Sequence, residues 1–303
     1  MKRRGDVLRI AGIGEILWDL LPEGEYFGGA PSNFSMHCSQ LGAEAYMVGC
    51  IGADARGSQA LELLKERGVD ASGVISTDSY ETGIVVVQLD GLGQPSYQIK
   101  QDVAWDHLVY SEPLGVLAGS LDAICFGSLA QRHEVSKETL YKFLGRAPVD
   151  CLRVFDINLR KPYFEEQIIR RSLRAADVVK LNQEEFKMIV QMHNLVGSEE
   201  TMLRAFLMEY DLKLAALTRG GKGSMLVTAS ETSNTLAREV SVVDTVGAGD
   251  AFTSVMVIGL LSSWELDQIN AMATRLAAYV CTKSGAVPAI SEIILRELRI
   301  AVD

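Results

Sequence analysis

The strongest chemical signal is the run DTVGAGDAF, Asp244 to Phe252. Gly247, Ala248 and Gly249 stand directly before an apolar stretch of helical length. Residues this small let backbone amides approach a ligand closely, and a helix start adds the positive end of its dipole. The run is a candidate anion hole. Asp250 falls in the first helical turn, beside the place an anion would occupy. A carboxylate next to bound phosphate costs electrostatic energy, but it is well placed as the base that takes a proton from an attacking hydroxyl. The same residues would also make a plain helix cap after a glycine turn.

Three further runs carry polar chemistry. FGGAPSNF, Phe27 to Phe34, is again a glycine turn entering a helix, and Asn33 offers a donor and an acceptor suited to sugar hydroxyls. It also reads as a tight strand-to-helix turn. FDINLRKP supplies Asp156, Asn158 and Arg160, and VVKLNQEEF supplies Lys180, Asn182 and Glu185. Both sit at the carboxyl ends of apolar strands, where open α/β sheets bind ligands. Asn182 and Glu185 are three apart at a helix start, so both can face one site and hold Mg²⁺ through water. The spacing N-x-x-E equally makes a capping box. TRGGKGS, Thr218 to Ser224, joins two strands, and its glycines suit either a nucleotide's phosphates or a hairpin turn. Gly12-Ile13-Gly14 lacks the third glycine of G-x-G-x-x-G, and G-x-x-x-x-G-K-[ST] is absent, so neither a dinucleotide fingerprint nor a P-loop is present.

These runs need elements to hold them. VLRIAGIG, AYMVGCIG, LDAICFGS, LRVFDIN, ADVVKLN and LAALTRG read as buried strands ending in polar or glycine-rich turns. Helices are expected over Pro31 to Leu41, Ser58 to Arg67, Gly249 to Leu261 and Leu266 to Thr282. Strands alternating with helices imply a mostly parallel sheet covered on both faces. TGIVVVQLD and PSYQIKQD, flanking GLGQ at 91–94, break the rhythm as a β-hairpin. Its Val85, Val87, Tyr97 and Ile99 present more apolar surface than a lone hairpin can bury, so it is expected to close over a ligand, to pair with a second copy, or both. An edge hairpin without a role would show the same pattern.

The chain has 303 residues, 48% hydrophobic and 22% charged, enough for a sizeable core. Its net charge of −10 argues against general binding to nucleic acid or anionic membrane. Five scattered cysteines without C-x-x-C read as reduced core thiols, and the four histidines show no metal-ligand spacing. No apolar run suits a signal peptide or a membrane span, and the cytoplasm is the expected location.

In order along the chain, GGAPSN, the hairpin, N-x-x-E, T-x-G-x-x-G and DTVGAGD resemble the ribokinase (PfkB) family of carbohydrate kinases. The resemblance runs from Ile13 to Pro288 and includes KSGAVP. GEILWDLLPEG, GGAPSNF, VAWDHL, FGSLAQR and FDINLR are most similar to bacterial fructokinases. Kinases for keto-deoxygluconate, ribose or nucleosides share much of the pattern, and a catalytically silent sugar-binding protein on this fold is a further alternative. Arg219 and Ile157 stand where the family's leucine and proline are expected.

The resemblance implies a single ribokinase-like domain over 1–303. It would be a three-layer αβα sandwich with a mostly parallel central sheet and a discontinuous β lid, roughly 15–30 and 80–106. It implies Asp250 as base and Gly247, Ala248 and Gly249 as anion hole. Asp19, Gly29 and Asn33 would bind the sugar, and Arg160 would reach the sugar or the phosphoryl group. Asn182 and Glu185 would organise Mg²⁺ and phosphate, and Thr218, Gly220 and Gly223 would form the ATP loop. Asp244 would ligate a monovalent cation such as K⁺. The implied reaction moves the γ-phosphoryl of ATP to fructose, with a homodimer through the lid.

Overall fold

The computed structural model describes residues 7–89, 95–160, 162–163 and 165–298, with side chains left out at 87–89 and 95–97. The first stretch runs β1 (Arg9–Ile13), β2 (Leu17–Leu21), β3 (Gly24–Gly28), α1 (Ala30–Gln40), β4 (Glu44–Gly52), α2 (Ala55–Glu66) and β5 (Val69–Thr77). Then come β6 (Gly83–Leu89), β7 (Pro95–Ile99), α3 (Glu112–Ala118), β8 (Ala123–Phe126), α4 (Glu134–Arg146), β9 (Leu152–Asp156) and α5 (Glu166–Ala175). The rest is β10 (Val178–Asn182), α6 (Gln183–His193), α7 (Glu199–Tyr210), β11 (Leu214–Thr218), β12 (Ser224–Val227), β13 (Thr232–Thr235), α8 (Ala248–Leu261), α9 (Leu266–Cys281) and α10 (Glu292–Glu297).

Nine strands form one sheet in the order β13-β12-β11-β10-β9-β8-β1-β4-β5. All pairs from β11 to β5 are parallel, and β12 and β13 close the other edge antiparallel. The inner strands are apolar on both faces, so alternate residues enter two separate cores. Ile10, Cys125, Val154 and Val178 pack with Phe34, Leu64, Val255 and Leu276 from α1, α2, α8 and α9. Ala11, Phe126, Phe155 and Val179 pack with Leu114, Phe143, Ile169 and Phe206 from α3, α4, α5 and α7. Two helical layers on one buried parallel sheet make the expected sandwich. Helix α2 begins three residues before the expected Ser58, because the Asp54 side chain caps it by accepting from the Gly57 amide at 2.8 Å.

The chain leaves β1 and crosses to β4 and β5 on one side, then returns to β8 on the other. The direction of winding reverses beside β1, and a crevice opens there at the carboxyl ends of the strands. A four-stranded sheet, β3-β2-β6-β7, stands over that edge. Its strands fall inside the segments expected for the lid. The turn GLGQ lies outside the described residues. The expectation of exposed lid surface needs correcting: Val85 and Ile99 are buried against Leu17, Val103, Trp105 and Leu129 of the same chain. The apolar face is matched by the residues that follow the hairpin, a long-range contact that strand pattern alone does not reveal. The Val87 and Tyr97 side chains lie outside the described ones.

Candidate active site

Four chain segments meet in the crevice. A pocket there is lined by Ala30, Pro31 and Phe34 from α1, Cys125, Phe126 and Gly127 from the end of β8, Asp156 at the end of β9 and Asn158 just beyond it, and Asp250 from α8. Gly29 caps α1 with φ 105, and a Cβ there would lie 2.4 Å from the Glu15 carbonyl oxygen. Gly247 caps α8 in the left-handed region, φ 76, where a Cβ would lie 2.0 Å from the Ala286 oxygen. Both turns therefore require glycine. They aim two helix N-termini, with the positive ends of their dipoles, at the same crevice.

Asp250 lies in the first turn of α8 and accepts a hydrogen bond from Asn33 Nδ2 at 2.9 Å. Burial pushes its carboxyl up to about 6, and nearby Asp156 pushes the same way, while Asn33, Lys180 and Arg160 oppose both. A carboxyl so placed is ionised at neutral pH yet basic enough to accept a proton. Beneath it, Lys180 Nζ donates to Asp156 Oδ1 at 3.1 Å, and Thr253 Oγ1 donates to Asp156 Oδ2 at 3.0 Å. Burial lowers the Lys180 pKa, but Asp156, Glu185 and Asp250 outweigh it, so the group stays an ammonium. This buried ion pair ties β9, β10 and α8 together directly under the candidate base.

The sugar-site candidates converge at the lid root. Gly28 lies close against the Asp19 carboxylate, and a Cβ there would lie 2.7 Å from Asp19 Oδ2. Burial pushes Asp19 up to about 6 against the pull of Arg160. Arg160 is exposed, and its Nη1 donates to its neighbour's carbonyl, Leu159 O, at 3.0 Å. It reaches Asp19, Glu15 and Asp250 through its field.

Asn182 and Glu185 form a capping box. Asn182 Oδ1 accepts from the Glu184 and Glu185 amides at 2.9 and 3.0 Å, and Glu185 Oε2 accepts from the Asn182 amide at 2.7 Å. Glu185 Oε1 accepts from the Leu159 amide at 2.9 Å, which locks the turn after β9 to the start of α6. Each carboxylate oxygen keeps a lone pair, a donor set that fits Mg²⁺ held through water. Thr218, Gly220 and Gly223 line the turn between β11 and β12, with Thr218 Oγ1 on Leu181 O at 3.4 Å and Gly223 at φ 90. Both oxygens of Asp244 take backbone amides, Val246 at 3.0 Å and Gly285 at 3.2 Å. Among the described residues, no cluster of three His, Cys, Asp or Glu could hold a metal by itself, and no helix is long and apolar enough to cross a membrane.

Two contributors were not picked out from sequence as site residues. Glu15 is buried beside the sugar-site candidates, with Oε1 accepting from the Ala30 amide at 3.3 Å. Its signal was an acidic residue two positions after the buried strand RIAGI. His37 is fully buried and hydrogen bonds through Nε2 to Ala286 O at 3.1 Å, the oxygen that backs Gly247. Burial pulls its pKa down to about 4, so the ring is neutral and Nε2 is the donor.

The sequence profile of the pfkB family carbohydrate kinases matches residues 23–293. An uncharacterized sugar kinase of Pyrococcus horikoshii is 31% identical over 297 residues, covering 91% of each chain. Its crystal structure superimposes with a TM-score of 0.78 over 92% of this chain and 93% of that one. The fructokinase of Salmonella typhimurium is 29% identical over 296 residues, 92% of this chain and 94% of the relative. A fructokinase of Xylella fastidiosa with bound ATP shares the fold at 21% identity, TM-score 0.83, over 95% of this chain and 97% of that one.

Proposed function

The chain belongs to the pfkB family of carbohydrate kinases, and from that premise we propose that it transfers the γ-phosphoryl group of ATP to fructose, giving ADP and fructose 6-phosphate. The observation that carries this reading is Asp250: a partly desolvated carboxylate, held by Asn33, in the first turn of a glycine-capped helix at the crevice.

In this mechanism Asp250 takes the proton from the sugar hydroxyl as its oxygen attacks the γ-phosphorus. The bond from phosphorus to the bridging oxygen breaks in line, and ADP leaves with the electron pair. Amides of Gly247, Ala248 and Gly249 receive the charge that spreads over the phosphoryl oxygens. Asp19, Gly29 and Asn33 position the sugar, and Arg160 faces the same space from the turn after β9. Thr218, Gly220 and Gly223 cradle the nucleotide. Glu185, set by Asn182, would hold Mg²⁺ through water, and the ion would neutralise phosphate charge. Asp244 is the candidate ligand for K⁺. The lid would exclude water over the sugar, which favours transfer to the sugar over hydrolysis of ATP. The whole chain acts as one domain in this reading, works in the cytoplasm, and pairs through the lid as a dimer.

ADP release measured across fructose, ribose, keto-deoxygluconate and a nucleoside, with Mg²⁺ and with or without K⁺, tests the proposal. Fructose should give the highest kcat/KM. A higher value with any other acceptor overturns the fructose assignment, and no turnover with any of them overturns the kinase mechanism.

A further inference from the structure

Two buried acceptor atoms at the crevice have no partner among the described residues. Glu15 is 2% exposed; its Oε1 accepts from the Ala30 amide, its own amide lies close enough to the carboxylate to lower its pKa, and its Oε2 has no partner within hydrogen-bond geometry. Asn33 is 4% exposed; its Nδ2 is committed to Asp250, so its unpartnered Oδ1 sits on an amide already anchored beside the candidate base. Buried acceptors left unmatched are costly, and the cost disappears when a ligand brings donors. Hydroxyl groups are donors; carboxylate and phosphate oxygens are not.

The charge around these atoms points the same way. Glu15 feels Asp250 and Arg160, Asp19 feels Arg160, and Asp250 feels Arg160. Three carboxylates thus share one exposed guanidinium. The nearby Lys180 is bound to Asp156 and adds no free charge. An acceptor carrying its own negative charge would enter this field at an electrostatic cost, whereas a neutral sugar can give Glu15 Oε2 a hydroxyl donor without that cost.

We propose that Glu15 is a specificity-determining residue of the acceptor site, taking a hydrogen bond from a hydroxyl of a neutral sugar and excluding sugar acids and sugar phosphates. The inference rests on the crevice being the acceptor site of the proposed kinase. Glu15 enters from the lid root, between β1 and β2, and touches the start of α1 through Ala30. Its position therefore depends on the same turn that brings Gly29 and Asn33 to the sugar. One unit charge in a partly desolvated site alters the binding of a charged ligand by roughly 10- to 100-fold.

The test uses the full chain and its Glu15→Gln and Glu15→Asp variants at pH 8. Fructose, gluconate and fructose 6-phosphate are compared by ADP release and by titration calorimetry without nucleotide. The wild type should bind and turn over fructose in preference to both anions. Glu15→Gln should narrow the fructose-to-anion ratio at least about tenfold, from the loss of one charge. Glu15→Asp keeps the charge but shortens the reach, so it should weaken fructose binding and preserve the ratio. An unchanged ratio in folded Glu15→Gln, a wild-type preference for either anion, or no binding of any of the three overturns the assignment. Absence of ADP release with intact fructose-selective binding would instead sink the kinase mechanism and leave Glu15 in its role.

Discussion

Replacing Glu15 by glutamine should change how stability depends on pH, independently of any activity. Glu15 is 2% exposed, and burial pushes its carboxyl from 4.5 to about 7, with Asp250 adding to the rise and two backbone amides and Arg160 opposing it. The folded state therefore holds the proton more tightly than the unfolded chain does. Below pH 4.5 the group is protonated in both states and costs nothing. As pH rises past 4.5 the unfolded chain ionises first, and the folded state loses stability until Glu15 itself ionises near pH 7. The span from 4.5 to about 7 corresponds to about 3 kcal/mol at pH 8. Glutamine has nearly the same shape and does not titrate. Urea denaturation of ligand-free wild type and Glu15→Gln at pH 4.5, 6 and 8 isolates the effect, because Asp19 and Asp250 titrate in both proteins. Relative to wild type, the variant should gain about 3 kcal/mol between pH 4.5 and pH 8. A difference between the two proteins that stays constant within about 0.5 kcal/mol over that range would refute the reasoning.

Asp250→Asn should lower kcat by about 10²–10⁴-fold with little change in sugar affinity, since asparagine keeps the size but accepts no proton. In the wild type, kcat/KM should fall as pH drops below about 6, where burial places the Asp250 carboxyl, and a flat profile from pH 5 to 8 would remove it as the base. Gly249→Val should abolish transfer in a folded protein, because a Cβ there would lie 2.9 Å from Lys180 Nζ and the branched side chain would crowd the first-turn amides; unchanged kcat would disprove the anion hole. Asp19→Ala should raise the sugar KM by roughly 10- to 100-fold and leave the ATP KM nearly unchanged, as expected for a lost charged hydrogen bond of about 1.5–3 kcal/mol. Equal effects on both would move Asp19 out of the sugar site.

Much of this protein is determined locally and can be read along the chain. Strands β1, β4, β8, β9, β10 and β11 are apolar on both faces and lie where their apolar runs predict them, whereas the mixed β5 and the polar β13 carry no such run. Gly29 and Gly247 mark turns that only glycine can make, so the two helix starts that bear Asn33 and Asp250 were legible from residue type alone. The hairpin announced itself by two runs, TGIVVVQLD and PSYQIKQD, flanking the glycine-containing GLGQ. The N-x-x-E spacing also announced a capping box, and the capping box is what forms.

Other features exist only because distant segments are brought together. Asn33 and Asp250 are 217 residues apart and meet because β1 is an inner strand and the chain winds outward on both sides of it. Val85 and Ile99 look like an exposed patch until Trp105 and Leu129 cover them. Asp156 and Lys180 were visible as polar residues at strand ends, but their pairing under Asp250 depends on the register of β9 against β10. Glu15 shows the difference most clearly. A glutamate carries no mark in sequence of whether it will face water. Only the packing of the lid root against α1 removes its solvent and sets its carboxyl near neutrality, because desolvation and charge fields depend on distance through space and not along the chain.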